Sequence, residues 1–576
     1  MKKLSLILSS LVFVITGCGS NIEHQEVRKA PLNSSELGWI ATNLTKEQHT
    51  EIMLQHPAGT FRNHGKGFAY EYRGLSKAEI LEVAPKANVE KNAFVKSQGV
   101  YQVGLSTPEE KLEKFLSENL DIEFAPGNCI NNSFLITPKI NFKNISGLST
   151  TTLPVVGNSL GFKNDKSADD VATTAWVVLA PNGSKIPSDL LGDEAIEFEP
   201  DMAGSYAVVL LYKKNGQCNF RREDFFVTNN TPYNPLLSAA GEEKLETLSE
   251  KDFYQLSATR ADAAQALVLN SDYKITKVAV IDSGVNYNNP TLKRRMWTNS
   301  GEIPGDGIDN DQNGYIDDYV GYDFANDDEH PMDDQGHGSH VAGLVAGELT
   351  GISAENVQSM AVKSGGALGL DIGSIISGIM YAIENEADII NMSFGSKRST
   401  EAVKAAMKLA GEQGILIVAA SGNGNRFGVG VNNDTTPHYP ASYDLSNILS
   451  VGSVRIDDAL TRYSNYGVES VDVATVGGFS DNISGPVGLL SSAYIANPSG
   501  VLTQPLAGTS MASPVAAGIA GLILSAAPEL TPTQVIELML GTSRKVGILT
   551  SKIKSGAVLD AEAAVSNILH SKLLYN

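Results

Sequence analysis

The chain has 576 residues, of which 42% are hydrophobic and 19% are charged; this composition excludes a mostly disordered chain, and the length predicts about four domains. The formal net charge of −21 excludes general binding to a nucleic-acid backbone. Three cysteines exclude a disulfide-dense scaffold and a zinc site built from four thiolates.

Residues 1–17 are typical of an export signal. Two lysines precede an apolar run at 4–16, which as a helix reaches only ~20 Å and is too short to span a membrane. The run ends in small residues before Cys18 and resembles a bacterial lipobox. The resemblance implies that Cys18 is acylated and anchors the protein to a membrane. Gly19 in place of Asp favours the outer membrane over the inner, in a periplasmic or cell-surface lipoprotein. A plain secretory signal with an incidental cysteine is the alternative.

The chain after Cys18 changes character twice. Residues 18–37 are polar and predict a tether. Residues 38–120 predict a small α+β unit, with an alternating strand at 68–72 and a helix at 76–83 that begins after a serine cap.

Residues 121–230 predict an all-β domain, because short apolar runs are separated by Pro, Gly and Asn. An Asn-Gly pair at 215–216 predicts a hairpin. The order of Cys129, Trp176 and Cys218 resembles that of an immunoglobulin-like or PKD-like sandwich. An exported location permits a Cys129–Cys218 disulfide, which we expect; two free thiols are the alternative.

The rest of the chain predicts an α/β domain at 272–566, after a linker at 231–271 and before a tail at 567–576. Strand-like runs alternate with helical ones, the former at 277–281, 358–362, 388–392 and 415–420, the latter at 337–349, 371–386 and 400–413. This alternation predicts a parallel sheet with helices on both faces. Ligands bind such sheets beyond the carboxyl ends of the strands.

Three segments of this domain carry groups suited to nucleophilic catalysis. Asp282 directly follows an apolar strand, His337 begins a helix of small residues, and Ser510 opens an apolar helix. Each alone has an ordinary structural reading: a turn residue, a satisfied polar group and a helix cap. Together they supply a nucleophile, a base for its proton and a carboxylate that orients the base.

The three segments resemble those of the subtilisin-like serine proteases, the subtilases, in residue type and in chain order. The resemblance covers the α/β domain. It implies that Ser510 is the nucleophile, His337 the general base and Asp282 the group that orients the imidazole. A second histidine, His340, stands one helical turn later and is a rival base, but the motif matches the first.

The resemblance also implies an oxyanion donor and a substrate edge. Asn423 matches the asparagine whose side-chain amide binds the oxyanion, with the Ser510 N–H as its partner. Two segments at strand ends match the backbone that, in the family, pairs with substrate through main-chain hydrogen bonds. The first comprises Ser393, Phe394 and Gly395, and the second comprises Ser421 and Gly422. Ordinary strand ends are the alternative. Thr475-Val476-Gly477 and Val515 depart from the family pattern without removing a triad group.

An acidic loop between the Asp and His motifs predicts a structural calcium site. Asp309, Asp311 and Asn313, followed by glycine, match the first half of a calcium-binding loop. The twelfth position is Val320 instead of Glu, so the loop is not a complete EF-hand, and Asp317 is the candidate for a further ligand. Similar loops occur in subtilases that bind calcium; a solvated acidic loop is the alternative.

We therefore expect a membrane-anchored serine endopeptidase that acts on proteins or peptides outside the cytoplasm. The alternative from another class is a catalytically silent, surface-binding lipoprotein with a subtilase fold. A sedolisin-type acid peptidase is a third reading, against which His337 counts. The position of residues 38–120 upstream of the peptidase suggests a propeptide-like module. The sequence does not specify substrate preference or oligomeric state.

Overall fold

The structure is a computed structural model. It describes the backbone of the strands between residues 135 and 227 and, outside them, residues 38–56, 60–65, 67–95, 101–102, 253–271, 273–348, 350–353, 355–366, 369–425, 427–481, 485–493 and 503–575. The export signal, Cys18, the tether and Cys129 lie outside the described residues.

The helices of the described residues fall into two groups. Two lie near the N-terminus, α1 (Lys46–Gln55) and α2 (Lys77–Val83). The others surround the large sheet: α3 (Tyr254–Thr259), α4 (Ala261–Leu269), α5 (His337–Ala346), α6 (Ile372–Glu384), α7 (Glu401–Glu412), α8 (Thr509–Ala526), α9 (Pro532–Thr542) and α10 (Ala561–Tyr575).

The strands of the N-terminal third are β1 (Trp39–Thr42), β2 (Thr60–His64), β3 (Ala69–Arg73), β4 (Asn88–Lys91), β5 (Phe94–Val95), β6 (Tyr101–Gln102), β7 (Leu135–Ile136), β8 (Leu160–Lys163), β9 (Thr174–Leu179), β10 (Asp189–Leu190), β11 (Ala195–Phe198), β12 (Gly204–Lys214) and β13 (Gln217–Val227). The others are β14 (Thr276–Asp282), β15 (Gly321–Asp323), β16 (Val357–Lys363), β17 (Gly365–Gly366), β18 (Gly369–Asp371), β19 (Ile389–Met392), β20 (Leu416–Ala420), β21 (Ile448–Val454), β22 (Val473–Val476), β23 (Phe479–Asp481), β24 (Gly485–Val487), β25 (Leu489–Ser492), β26 (Thr503–Ala507), β27 (Arg544–Lys545) and β28 (Ala557–Val558).

The predicted parallel α/β sheet is confirmed. It has nine strands in the order β15-β16-β14-β19-β20-β21-β22-β28-β27, and all neighbours pair in parallel except β28 and β27. Every residue of β19 to β22 is buried, as expected for a sheet covered on both faces. The expected helix at 371–386 is shorter, because Asp371 is its N-cap and Asn385 its C-cap.

Two apolar cores flank this sheet, because successive strand residues point to opposite faces. Val278 and Val280 of β14 lie in the first core with residues of α5 and α8. Ala279 and Ile281 lie in the second with residues of α6 and α7. Helix α8 is long and apolar enough to cross a membrane by length and composition, but all of its residues are buried in the protein.

A separate four-stranded antiparallel sheet in the order β2-β3-β1-β4 packs with α1 and α2. Thr45 and Ser76 begin these helices with reciprocal capping boxes. Buried side chains of this sheet and its two helices, among them Ile52 of α1, form a small core. Ile40 and Ala69, in contrast, belong to the second core of the large sheet. The N-terminal sheet therefore shares a hydrophobic core with the α/β domain.

The strands between 135 and 227 include a hairpin of β12 and β13, with Lys214 opposite Gln217 and two residues between them. They form a five-stranded sheet in the order β10-β9-β12-β13-β7 and a β11-β8 pair. Because Cys129 lies outside the described residues, its disulfide with Cys218 stays a prediction, and so does the immunoglobulin-like sandwich.

Candidate active site

Asp282 and His337 meet at the carboxyl end of β14. The two atoms His337 Nδ1 and Asp282 Oδ1 lie 2.7 Å apart, and the residues are 3% and 1% exposed. Small residues permit this approach: a Cβ atom at Gly338 would overlap the carbonyl oxygen of Gly284. Gly284 itself has φ 101°, a left-handed conformation that favours glycine.

The environment of His337 sets its proton affinity. Burial lowers the pKa of His337, but the charge of Asp282, its hydrogen bond and the charge of Asp333 outweigh burial, so this pKa lies above its usual value. Among the described residues, His337 Nε2 has no hydrogen-bond partner. With Nδ1–H donated to Asp282, Nε2 presents a lone pair that can accept a proton.

Asp333 ties the loop that carries His337 to the strand end that carries Asp282. This carboxylate is 1% exposed and accepts five hydrogen bonds, from Ser283 Oγ, the N–H groups of Gln335, Gly336 and Ser339, and Ser339 Oγ, at 2.6–2.9 Å. Sequence analysis did not identify this residue. Its position four residues before the histidine carries no signal, because acidic residues are common in such loops.

Ser510 lies in the first turn of α8. The N-cap residue Gly508 has no side chain to accept from the first turn, so Ser510 lies at the end of the helix where N–H groups carry partial positive charge. The Ser510 hydroxyl donates to the carbonyl oxygen of Ser393 at 2.8 Å, and it makes no hydrogen bond to His337 in this arrangement. Ser393 directly follows β19, the neighbour of β14 in the sheet, so Ser510 and the Asp282–His337 pair lie at the same edge.

A proline in α8 explains a second contact between these segments. Pro514 has no N–H to donate to the carbonyl oxygen of Ser510. Ser393 Oγ donates to this oxygen instead, at 2.9 Å. Ser393 therefore holds the backbone and the hydroxyl of Ser510 at once.

Asn423 lies in the loop after β20, and its side-chain oxygen is held by Thr509. Asn423 Oδ1 accepts from the Thr509 N–H at 2.8 Å and from Thr509 Oγ1 at 2.9 Å. This contact turns Nδ2 toward the residues just before Ser510, where a Cβ atom at Gly508 would lie 3.2 Å from it. The side-chain amide is thus oriented beside the first turn of α8, where an oxyanion donor would be needed.

The rival base His340 occupies a different environment. It is fully buried, and its Nε2 lies 2.9 Å from the carbonyl oxygen of Leu489. Burial lowers the pKa of His340 to about 3. These contacts suit a neutral structural histidine.

The predicted substrate segments lie on both sides of Ser510. Ser393 and Ser421 are fully buried, and Phe394 is 4% exposed within the second core. The Gly422 N–H donates to Thr509 Oγ1 at 3.1 Å, which ties that segment to α8. Only the backbone of Phe394 is therefore suited to contact a substrate.

Residues of the chain itself pair with strands at this edge. Strand β17 follows Ser364, whose N–H donates to the Asp282 carbonyl oxygen, and pairs with β18. Strand β5 then adds to β18 with Val95 opposite Leu370. Strand β6 adds to β26, which ends three residues before Ser510.

The acidic loop brings together part of the predicted calcium set and one residue that sequence analysis missed. One carboxylate oxygen each of Glu302, Asp309 and Asp311 lie within 4.8 Å of one another. Asp317 instead accepts the N–H groups of residues 305–307. Asn313 Oδ1 accepts from the Tyr315 N–H, and its amide donates to Asp311 and Asp318. Three clustered carboxylates suit a hard cation such as calcium.

Comparison with known proteins identifies relatives of the α/β domain. The profile of the subtilase family matches residues 274–560. The chain is 33% identical over 301 residues to Subtilisin DY of Bacillus licheniformis, covering 51% of this chain and 92% of that protein. It is 30% identical to Halolysin of Haloferax mediterranei, covering 73% of each.

A third relative is Subtilisin-like protease 1 of Plasmodium berghei, at 32% identity over 342 residues. The alignment covers 56% of this chain and 54% of that protein, so the chain spans about half the length of this relative. The match to the family profile falls on the region that carries Asp282, His337, Asn423 and Ser510, and the match to Subtilisin DY covers most of that relative. The chain therefore belongs to the subtilase family.

Proposed function

We propose that the protein is a serine endopeptidase in which Asp282, His337 and Ser510 act as the triad. The observation that carries this proposal is the buried 2.7 Å contact between His337 and Asp282, with the unpartnered Nε2 at the sheet edge where Ser510 lies. Family membership supports it.

The reaction requires one local movement. The Ser510 hydroxyl leaves the Ser393 carbonyl oxygen by rotation about its Cα–Cβ bond and turns to Nε2. As Ser510 Oγ attacks the scissile carbonyl carbon, its proton passes to Nε2, and Asp282 stabilises the imidazolium that forms. The Ser510 N–H and Asn423 Nδ2 donate to the oxyanion. The imidazolium then protonates the leaving amine, and water hydrolyses the acyl-enzyme.

Hydrolysis of an internally quenched peptide by the purified protein tests the proposal. We expect wild-type protein and S571A to cleave it and S510A to be inactive, since Ser571 is an exposed residue of the C-terminal helix whose hydroxyl bonds within that helix. Cleavage by S510A, or none by wild-type protein at neutral pH, would reject the triad. An optimum near pH 4 would favour the sedolisin-type reading.

We infer that the N-terminal sheet is a propeptide-like inhibitory module. It shares the second core through Ile40 and Ala69. His64 Nδ1 lies 3.0 Å from Ser377 Oγ of α6, and Glu90 Oε1 accepts the Ala402 N–H at the start of α7 at 2.9 Å. In this arrangement β5 pairs with β18, so a substrate that binds by pairing with β18 is excluded while β5 is in place.

We further propose that the chain cuts itself, and the same pairing supports a position for the cut. Val95 is paired on β18, and Tyr101 is paired on β26 next to the residues just before Ser510. We therefore expect intramolecular cleavage at one of the peptide bonds in the segment from Val95 to Tyr101. Mass spectrometry of the purified protein tests this: we expect a new N-terminus between residues 96 and 101 in wild-type protein and none in S510A. An intact wild-type chain with peptidase activity would reject it.

We propose that Glu302, Asp309 and Asp311 bind a structural calcium ion, with Asn313 and Asp317 holding the loop. Calcium would neutralise the clustered carboxylates and stabilise the folded state by binding it alone. The ion has no part in the peptidase chemistry proposed here.

The remaining expectations concern location. We propose that Cys18 is acylated and that the protein is exported and anchored to the outer membrane, with protein or peptide substrates as its partners. After the proposed self-cleavage, the peptidase domain stays with the anchored N-terminal module through the core that they share. The lipobox-like sequence supports this proposal. Labelling of wild-type protein by radioactive palmitate in cells, absent in C18A, is the expected result; equal labelling of both would reject it.

A further inference from the structure

A histidine that the mechanism does not use lies between the two substrate segments. A Cβ atom at Gly395 would overlap His438 Nε2, and one at Gly422 would lie 2.9 Å from His438 Cδ2. The imidazole therefore occupies the space beside both glycines. These glycines end the segments that flank Ser510, so the ring lies between the two backbones that would hold the residue before the scissile bond.

The backbone holds this ring in place. Tyr439 and Ser396 exchange two hydrogen bonds, of 2.7 and 2.8 Å, which bind the histidine segment alongside Gly395. The His438 N–H donates to Ser442 Oγ at 3.1 Å. The ring is thus part of the rigid wall of the site, and its position does not depend on a side-chain rotation in an exposed loop.

His438 is 4% exposed, and its imidazole lies against Gly395 and Gly422. Burial, and to a lesser extent the charge of Lys397, lower the pKa of His438 to about 4, so the ring is neutral at pH 7. A neutral imidazole presents one N–H donor and one acceptor nitrogen. A ligand oxygen that accepts from this N–H gains a hydrogen bond within a largely buried wall of the site.

We propose that His438 is the specificity-determining residue of the primary substrate pocket and that it selects a carboxamide or carboxylate side chain on the amino side of the scissile bond. The N–H of the ring donates to the side-chain oxygen of such a residue. An apolar side chain would cover the same N–H without pairing it and would bind less well. Lys397 adds positive potential that favours the carboxylate. This inference rests on the proposed peptidase function.

The sequence around the expected self-cleavage site agrees with this preference. Between Val95 and Tyr101 the residues are Lys, Ser, Gln, Gly and Val. Gln98 is the one carboxamide among them, and none is a carboxylate. We therefore expect the new N-terminus to be Gly99.

Peptides that differ only in the residue before the scissile bond test the inference. With wild-type protein we expect kcat/KM for Gln and Glu peptides to exceed that for the Leu peptide by about 10- to 100-fold. In H438L this ratio should fall below one, because the donor is replaced by an apolar group. The matched control H570L makes the same change on an exposed residue of the C-terminal helix and should retain the wild-type ratio.

Two kinetic results would overturn the inference alone. One is wild-type protein that cleaves the Leu peptide as fast as the Gln peptide; the other is an active H438L with an unchanged ratio. Wild-type protein that cleaves no peptide and does not react with a fluorophosphonate at Ser510 would overturn the peptidase proposal, and the inference with it. An N-terminus other than Gly99 after self-cleavage would contradict the preference for Gln at this position.

Discussion

Removal of the Asp333 carboxylate should destabilise the fold and weaken catalysis together. In D333A, the N–H groups of Gln335, Gly336 and Ser339 lose their acceptor in a region that is almost fully buried. Each unpaired buried donor costs about 1–3 kcal/mol. The two hydroxyls can turn to other partners and water can enter, so we expect a loss of about 3–5 kcal/mol in the free energy of unfolding. D333N keeps one acceptor oxygen and should lose about 1–3 kcal/mol.

Urea denaturation in an S510A background measures this loss without self-digestion. In the active background, we expect the acidic limb of the pH profile of kcat/KM to lie above the usual histidine value, because the pKa of His337 is raised. In D333N that limb should move to lower pH, since one of the charges that raises this pKa is gone. A D333A protein within about 0.5 kcal/mol of its parent in stability, or a D333N limb that does not move, would refute the reasoning.

Three further predictions follow from other contacts. N423A should lower kcat by about 10²- to 10³-fold, the range typical of an oxyanion donor, with little change in KM; full activity in N423A would exclude that role. A chelator should lower the melting temperature of wild-type protein but not that of E302Q, as scanning calorimetry would show; an equal shift in both would remove Glu302 from the calcium site. Burial raises the pKa of Glu71, but His64 and Arg73 outweigh it, and the folded-state pKa lies below the ordinary 4.5. E71Q should therefore lose about 2–4 kcal/mol of stability at pH 7, and this deficit should shrink as the pH falls below 4.5. A deficit independent of pH would contradict an ionised contact between Glu71 and Arg73, which lie 3.0 Å apart.

Sequence periodicity was sufficient to predict the parallel sheet, because buried strands and amphipathic helices alternate with clear boundaries. The triad candidates could be found because strand ends and helix starts carry them in a distinctive order. The ends of helices were harder to predict. Asp371 was expected to be the first residue of α6, but it lies before the helix and caps it with its side chain. A cap and a first helical residue look alike in sequence.

Residues that depend on tertiary contacts could not be found this way. Glu302 precedes the calcium-type spacing by seven residues and joins Asp309 only because the loop folds back. His438 reaches Gly395 and Gly422 across two separate loops. Ile40 resembles any buried strand residue, and only the folded structure assigns it to the core of another domain.

Covalent capture of the nucleophile tests the central claim most directly. Wild-type protein would be treated with a fluorophosphonate, digested and analysed by tandem mass spectrometry to locate the added mass. We predict one adduct, on Ser510, which forms much more slowly in H337A because Nε2 no longer accepts the hydroxyl proton. Labelling of another serine, or equal labelling rates in wild-type protein and H337A, would contradict the account.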